Sequence, residues 1–516
     1  MTEAALSLVL HAHLPWVRHP ELDDSLEERW LFEALRECYL PLLGSLRGLS
    51  REGVAPRLAL SLSPPLIAML RDAGLRRRFE RYADRVGALL REVRREGPLG
   101  EGFGPALDAH EAELEAARAL WVELDGDVVA GFVSLARGAG LELFTTALTH
   151  AWLPGLRHHP AAARAQVRAG LREFREATGL DPRGFWLPEC GWLDGVDRVL
   201  AGEGVRWTVL EAHGLLHATP APRWGLARPS VTRAGVAVFG RDPEASRAVW
   251  SREVGYPGHP SYRDFHSDAG FTLDPRWLGG FMVGGARQFT GLKPWRVTGG
   301  PVKEPWDPTT SRAQAETHAE HFVREREAWA RWVSARGCGG ASALCPYDAE
   351  LFGHWWRDGT DFIEAVLRRA ARSTAISAVT PTECLDRWGA DGALTPAEST
   401  WGEGGYGARW LAPEVAWSLR PMERGCAAVT ALARDRDPRF ERASRELSLA
   451  LSSDWAFLAG TSGYAARRWR GHLAALDDVL RGVDETAPPV GRERRTETPR
   501  PWPSLTPADF FTEDER

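Results

Sequence analysis

The chain has 516 residues, of which 44% are hydrophobic and 26% charged, a composition typical of a globular protein with two or three domains. Its formal net charge of −6 without a basic stripe excludes a nucleic-acid partner, and the lack of a signal peptide or long apolar segment predicts no membrane partner. The 6 cysteines are scattered without a CxxC pair, which predicts a reduced, cytoplasmic protein.

Tryptophan is the compositional outlier, with 23 residues, many of them beside glycine, proline or acids instead of in apolar stripes. Indole faces stack on sugar rings, so this pattern favours a carbohydrate ligand. The alternative, that tryptophans fill the core and interfaces, must hold for a good share of them.

The N-terminal stretch predicts a buried strand over residues 6–10, with His11 and His13 at its end. Residues two apart on a strand face the same side, so both imidazoles are expected in one pocket. Three interpretations stay open: a divalent metal site, donors to sugar hydroxyls, or a structural pair bonded to the backbone.

The next segments are mainly helical. Periodicity predicts a helix over 25–43, bent or ended by Pro41, and alternation predicts a strand over 57–63. Residues 72–137 are rich in Arg and Glu with helical spacing of apolar residues, which predicts a helical insertion.

A strand over 141–147 leads to His150, and a helix then precedes the stretch 184–192. In that stretch an apolar run ends at Pro188 and is followed by Glu189, with tryptophans on both sides. A carboxyl group among aromatic rings is costly to bury, so this one requires a reason.

A strand over 206–210 ends near His213, and residues 213–310 are then rich in Gly, Pro and Trp with few regular segments. A strand at 236–239 is the exception. Loops of this length with many aromatics are expected to be ordered and to face substrate. A long helix is predicted over 311–336.

The stretch 343–356 repeats the earlier design, because an apolar strand is followed by Pro346, the carboxylate Asp348 and several aromatics. Two carboxylates at two strand ends, ringed by tryptophan, suit the cleavage of a glycosidic bond. Taken singly, Glu189 or Asp348 would more often be a helix cap or an ion-pair partner; the matched contexts favour catalysis.

Beyond Trp401 the pattern is all-helical, over 412–433, 438–459 and 463–482. The predicted domains are therefore a catalytic barrel, the insertion, a C-terminal helical domain and a poorly ordered tail, with the bounds 1–71 and 138–399, 72–137, 400–483, and 484–516.

Polar groups recur at successive predicted strand ends: His11, His13, His150, Glu189, His213 and Asp348. The active site of a β/α barrel gathers at the carboxyl ends of its strands. Polar residues with unrelated structural roles would not recur at the ends of successive strands, so the pattern favours an α/β barrel enzyme.

Three motifs carry a family resemblance: His11-Ala12-His13-Leu14-Pro15, Trp186-Leu187-Pro188-Glu189, and the run from Pro346 to Trp356. With supporting matches between residues 6 and 480, the chain resembles glycoside hydrolase family 57, and within it the 1,4-α-glucan branching enzymes. The resemblance implies an incomplete (β/α)7 barrel with a helical insertion and a C-terminal helical domain. It also implies an α-glucan partner, no cofactor, no metal, and a monomer or weak homo-oligomer.

By the same resemblance Glu189 is the nucleophile and Asp348 the general acid/base of a retaining reaction that moves an α-1,4-linked chain to a 6-hydroxyl. The predicted substrate-binding residues are His11, His13, His150, Arg241, Trp250, Gly258, Trp295, His354, Trp401, Asp454 and Trp455.

The sequence departs from the family in two places. Branching enzymes carry a tyrosine on a loop over the cleft, where residues 218–228 offer Trp224, and the glycine-rich segment between 271 and 293 is longer than the family pattern. Both departures concern the choice between transfer and hydrolysis. The alternatives are an α-amylase, a 4-α-glucanotransferase, a metal hydrolase using the histidines and Asp348, or a glucan-binding protein without turnover.

Overall fold

The computed structural model describes residues 4–19, 22, 25–251, 253–282, 285–460, 462–483, 502–512 and 515. Ten strands within these residues form one curled sheet: β1 Ala4–Ala12, β2 Ala59–Leu62, β3 Glu142–Thr146, β4 Gly184–Trp186, β5 Trp207–Leu210, β6 Ser230–Thr232, β7 Ala237–Gly240, β8 Ala341–Asp348, β9 Ile376–Ala378 and β10 Asp391–Leu394.

Helices cover the sheet and continue beyond it: α1 Leu26–Ala34, α2 Leu40–Arg51, α3 Pro64–Arg71, α4 Ala73–Glu96, α5 Gly104–Glu123, α6 Val128–Gly138, α7 Pro160–Thr178, α8 Val196–Gly202, α9 Ala212–Leu216, α10 Pro243–Trp250, α11 Ala269–Thr272, α12 Pro308–Ser334, α13 Gly359–Ala370, α14 Pro381–Trp388, α15 Ala416–Asp435, α16 Phe440–Ala450, α17 Ser453–Leu458, α18 Gly463–Leu480 and α19 Pro507–Phe510. No helix in these ranges is both long and apolar enough to span a membrane.

The sheet is an incomplete barrel. Seven parallel strands follow in the order β8-β1-β2-β3-β4-β5-β7, β6 adds antiparallel to β7, and β9 pairs with the start of β1. Among the described residues no ladder joins β7 to β8; one bond from the Asp242 N–H to the Leu344 carbonyl, at 2.9 Å, crosses that gap. All nine residues of β1 are buried, as expected for a strand covered on both faces. The predicted α/β barrel class is confirmed.

The first long helix runs further than predicted. Instead of ending near Pro41, it passes through a π-helical turn, Leu35–Tyr39, and continues as α2 to Arg51. A proline ring clashes with the carbonyl four residues back in an α-helix, and the wider turn before Pro41 removes that conflict. The π turn also carries Glu37 and Tyr39 toward the residues that follow β8.

Three helices, α4 to α6, occupy the predicted insertion, and α15 to α18 form the C-terminal helical part. Helix α4 buries an apolar stripe that includes Phe79 and Val86 and begins at the cap Asp72, whose carboxylate accepts from the Leu75 N–H. The segment predicted over 438–459 is two helices, because α16 ends at Ala450 and α17 begins at Ser453.

Residues 263–282 and 285–293 have little regular secondary structure. The buried Asp268 carboxylate accepts from the backbone N–H groups of Gly270, Thr290 and Gly291. Next to it Lys293 is fully buried, with its Nζ 3.2 Å from Glu37 Oε2. Ion pairs and hydrogen bonds to buried charged groups thus hold this segment in place, where strand pairing and helices contribute little.

The tail differs from the prediction where the structure describes it. Residues 484–501 lie outside the described ranges, but 502–512 pack on the barrel. Phe510 is buried against Phe440, and Asp509 pairs with Arg172 of α7. Aromatic anchors in this Pro- and Arg-rich segment supply buried apolar area that its overall composition did not predict.

Candidate active site

The carboxyl end of β1 is the centre of the candidate site. His11 lies in register with Ser61 of β2 on one side and with Asp348 of β8 on the other. His11 Nδ1 is 3.1 Å from Ser61 Oγ, and His13 Nδ1 is 2.9 Å from Ser63 Oγ. The parallel register therefore brings both predicted histidines and the acid of β8 to one edge of the sheet.

Glu189 follows β4 in a left-handed backbone conformation, with φ 61° and ψ 24°. For a residue other than glycine this costs of order 1–3 kcal/mol and is typical of functional sites. Pro188 ends the strand, and the turn points the carboxylate at two donors. Trp401 Nε1 donates to Oε2 at 2.8 Å, and Ser453 Oγ donates to Oε1 at 2.9 Å.

A glycine-rich turn holds Trp401 against Glu189. The Trp401 N–H donates to the Glu189 carbonyl at 2.8 Å, so the backbones and the side chains of the two residues are both linked. Gly402 has φ 86° and ψ −165°, a conformation in which a Cβ is strained, and Thr400 N–H closes the turn on the Gly405 carbonyl.

Asp348 ends β8 in a different environment. Burial, the neighbouring Glu350 carboxylate and Glu189 raise the pKa of Asp348 well above its usual range. Within the described part of the chain, no side-chain or backbone donor meets this carboxyl. Burial also raises the pKa of Glu350 to about 7, although its Oε1 accepts from the His13 N–H at 3.1 Å and from the Tyr39 hydroxyl.

His150 completes a cluster of three stacked imidazoles. Its Nε2 is 2.9 Å from His11 Nε2, and its Nδ1 is 2.8 Å from Ser453 Oγ. Burial and the charge of His13 lower the pKa values of His11 and His150 well below the usual range, so both are neutral. Burial also acts to lower the pKa of His13, but Asp454, 3.0 Å away, raises it. Burial acts to raise the pKa of Asp454, but the charge of His13 and the hydrogen bonds from His13 and Ser452 together hold that pKa below its usual value.

Tryptophans extend from this centre toward solvent. Trp186 is buried under His11, Trp401 meets it edge-on at 5.1 Å, and Trp250 lies 6.4 Å from Trp401. Trp355, 6.0 Å from Trp250, is 41% exposed. The Arg241 guanidinium lies 5.3 Å from the Trp401 ring and donates to Glu211 and Ser246.

Comparison with known proteins identifies the family of the chain. The profile of "Glycosyl hydrolase family 57" matches residues 7–395. The chain belongs to this family. It is 30% identical over 508 residues to a probable 1,4-alpha-glucan branching enzyme of Mycobacterium tuberculosis, covering 91% of this chain and 90% of that protein.

Two solved structures are similar to this family 57 chain over nearly its whole length. The alpha-amylase AmyC from Thermotoga maritima has a TM-score of 0.86 at 32% identity, covering 94% of this chain and 95% of that one. A branching enzyme from Pyrococcus horikoshii has a TM-score of 0.81 at 30% identity, covering 93% and 94%. The fold of the chain is therefore shared by one relative named an alpha-amylase and by one named a branching enzyme.

Several predicted binding residues of the family 57 chain lie at the centre just described: His11, His13, His150, Arg241, Trp250, Trp401 and Asp454. Three others do not present a side chain there. Trp295 is 5% exposed and packs on Phe103, and Trp455 is fully buried with its Nε1 on the Leu449 carbonyl. Gly258 ends a 3₁₀ turn whose Tyr256 stacks on a histidine of α12. In this structure packing uses the rings of these two tryptophans in the core, and their contact with sugar stays a prediction.

Two further predicted residues have other neighbours. His354 Nδ1 lies 2.7 Å from Glu37 Oε2, inside the buried charged group around Lys293. Trp224 is half-buried against the main core, with Arg223 stacked 5.2 Å from its ring. Their direct roles toward glucan stay predictions.

Sequence reasoning assigned no role to several residues that touch the centre. Ser453 bonds Glu189, Glu350 lies beside Asp348, and Glu211 holds Arg241. A signal existed for Ser61 and Ser63, because they alternate on a predicted strand as His11 and His13 do on the first. Ser453 had no local signal, since 264 residues separate it from Glu189.

Within the residues that the structure describes, two groups of side chains have the spacing of metal ligands. The ligand atoms of His13, His150 and Asp454 lie within 4.8 Å of one another, as do those of Glu33, Glu37 and His354. In the second group the buried Lys293 ammonium already supplies the positive charge. In the first group the charged His13 already pairs with Asp454, so a metal would have to displace its proton.

Proposed function

We propose that the chain is a 1,4-α-glucan branching enzyme that works by retaining double displacement. The observation that carries this proposal is the unequal environment of two carboxyls at the carboxyl ends of β4 and β8. Asp348 has no donor among the described residues and a strongly raised pKa, which suits a protonated acid. Burial raises the pKa of Glu189 as well, but two donors to its oxygens favour the carboxylate, which suits a nucleophile.

In the first half-reaction the Asp348 carboxyl gives its proton to the glycosidic oxygen as a Glu189 oxygen attacks the anomeric carbon. The bond to the leaving glucan breaks, and a covalent glycosyl-enzyme forms. In the second half-reaction the Asp348 carboxylate takes the proton of an acceptor 6-hydroxyl, whose oxygen displaces Glu189. Two inversions retain the α-configuration, and a new α-1,6 branch results.

The other residues at the centre have supporting roles in this proposal. Three neighbouring tryptophans supply apolar ring faces on which glucose rings stack: Trp250, Trp401 and Trp355. His13 and Asp454 offer a charged pair to sugar hydroxyls beside the nucleophile.

The buried, reduced state of all six cysteines supports the proposal of a cytoplasmic enzyme, and the similarity to named branching enzymes supports action on a glycogen-type glucan. We also propose that the protein is a monomer or a weak homo-oligomer. Light scattering, which measures the molar mass in solution, tests this.

The test is incubation with linear amylose. Branch points are counted as the reducing ends that a debranching enzyme releases, and free reducing ends before debranching count hydrolysis. We expect branch points to accumulate and iodine staining to shift as they do. Reducing ends that rise without branch points would contradict branching and indicate an α-amylase, the second candidate, which the similarity to AmyC favours.

The roles of the carboxyls have a separate test. Glu189→Gln and Asp348→Asn should keep the wild-type melting temperature to within a few degrees and lower cleavage by at least about 10²–10⁴-fold. A mechanism-based fluorosugar should label Glu189 and no other residue. Label on a different carboxylate would contradict the assignment while leaving the branching test unaffected.

A further inference from the structure

A continuous line of hydrogen bonds runs from the nucleophile candidate into the barrel wall. Ser453 Oγ lies 2.9 Å from Glu189 Oε1 and 2.8 Å from His150 Nδ1. His150 Nε2 lies 2.9 Å from His11 Nε2, and His11 Nδ1 lies 3.1 Å from Ser61 Oγ. The line joins five separate parts of the chain: β1, β2, the loop after β3, the turn after β4 and α17.

Counting protons fixes the direction of this line. A serine hydroxyl has one proton, and a neutral imidazole has one N–H and one acceptor nitrogen. If Ser453 gives its proton to Glu189, it must accept from His150 Nδ1–H. His150 Nε2 then accepts from His11 Nε2–H, and His11 Nδ1 accepts from the Ser61 hydroxyl. Every contact is satisfied once, with both imidazoles neutral.

The opposite direction needs a different state of Glu189. If His150 carries its proton on Nε2, its Nδ1 accepts from Ser453, and the hydroxyl has no proton left for Glu189. The contact at 2.9 Å would then join two acceptors unless Glu189 were protonated. The orientation of the whole line is therefore coupled to the charge of the nucleophile.

We propose that Ser453 is a positioning residue for Glu189, and that a one-directional line of hydrogen bonds starting at Ser61 holds its hydroxyl toward the carboxylate. This rests on the proposed function, in which Glu189 must be ionised to attack. Its second donor, Trp401 Nε1, acts on the other oxygen, so the two bonds together set the plane of the carboxylate. The two histidines stay neutral over the working pH range. Their tautomers fix the direction in which each hydrogen bond of the line donates.

The charged groups that face Glu189 come from three other elements. Asp454 on α17 disfavours the carboxylate, whereas His13 at the end of β1 favours it. Asp348 at the end of β8 faces Glu189 too, and Glu189 helps to raise the pKa of Asp348. None of them is part of the line. Substitutions within the line should therefore change the ionisation of Glu189 without removing a formal charge.

The primary test compares Ser453→Ala with Ser453→Thr, which keeps the hydroxyl. The readout is the acidic limb of kcat/KM for total cleavage of amylose, so that an enzyme that only hydrolyses is also informative. We expect the limb of Ser453→Ala to move to higher pH by about one unit, because the ionised form loses a donor. Ser453→Thr should restore it. A wild-type limb in Ser453→Ala overturns the proposal.

The far end of the line tests its continuity. Ser61→Ala should shift the acidic limb in the same direction by a smaller amount, although Ser61 does not touch Glu189. Ser444→Ala, which removes a buried serine hydroxyl of α16 that donates to the Glu441 carbonyl, is the control and should leave the limb in place. A shift in Ser453→Ala with none in Ser61→Ala would overturn the line and leave a single local donor.

A second readout does not depend on glucan activity. A water-soluble carbodiimide modifies protonated carboxyls, so the pH at which the Glu189 peptide is half labelled follows the ionisation of that residue. The same ordering of variants is expected by mass spectrometry of the folded enzyme, whose melting is checked in parallel. If amylose is not cleaved at all, the proposed function fails, and this labelling series still supports or overturns the role of Ser453.

Discussion

Replacing Trp401 with phenylalanine isolates one hydrogen bond to the nucleophile. The substitution removes the Nε1–H that donates to Glu189 Oε2 at 2.8 Å, while the backbone bond between the two residues remains. A hydrogen bond to a charged acceptor contributes about 1.5–3 kcal/mol and one to a neutral acceptor about 1 kcal/mol. The indole therefore favours the ionised form by about 1–2 kcal/mol, which corresponds to about one pH unit.

The sign follows from which form is bonded. Losing the donor raises the pKa of Glu189, so Trp401→Phe should lose kcat/KM at a higher pH than the wild type as the solution is acidified. At pH values above that limb the loss of kcat/KM relative to the wild type should be smaller, about 10-fold, because there it reflects only the less restricted position of the Glu189 carboxylate. The assay is the pH profile of initial cleavage rates on amylose.

Trp250→Phe is the matched control. Its indole N–H has no hydrogen-bond partner among the described residues, so the substitution removes similar area without removing a donor to Glu189. It should change KM and leave the acidic limb where it was. If Trp401→Phe keeps the wild-type limb, or if both variants shift it equally, the bond does not control the ionisation of the nucleophile and the reasoning is refuted.

Four other predictions concern the acid, the loop, the buried charges and metals. Glu350→Gln keeps an acceptor oxygen but removes a charge that raises the pKa of Asp348, so the basic limb of kcat/KM should move to lower pH; an unmoved or raised limb would count against the coupling. Trp224→Ala should raise the ratio of reducing ends to branch points, because transfer must outcompete water at about 55 M by holding the acceptor in place; an unchanged ratio would show that this loop does not govern the outcome. Lys293→Met should lower the free energy of unfolding in urea by about 3–5 kcal/mol, since it leaves buried carboxylates without their cation. The control Lys303→Met, at a more exposed lysine, should lower it by at most about 1 kcal/mol. Equal losses in the two variants would argue against a structural role of the Lys293 ammonium. Exhaustive chelation should leave activity intact, and activity lost with EDTA and restored by zinc would favour a metal hydrolase.

Local pattern determined much of the barrel. Apolar runs that end in proline and a carboxylate placed Glu189 and Asp348 at strand ends, because a strand fully covered by helices must be apolar and its end must become polar within a residue or two. Helix periodicity located α12 to within three residues at either end, since its buried stripe repeats every three to four residues.

Tertiary structure alone decided which side chains surround the carboxyls. Ser453 reaches Glu189 across 264 residues, and nothing local to either residue encodes the pairing. Tryptophan is equally suited to the core and to a sugar face, so burial had to separate Trp455 and Trp295 from Trp250 and Trp401. The sequence determined where polar groups leave the sheet, because that depends on neighbours along one strand. Which of them meet was decided by packing, because it depends on how several elements, far apart in the chain, close around one edge.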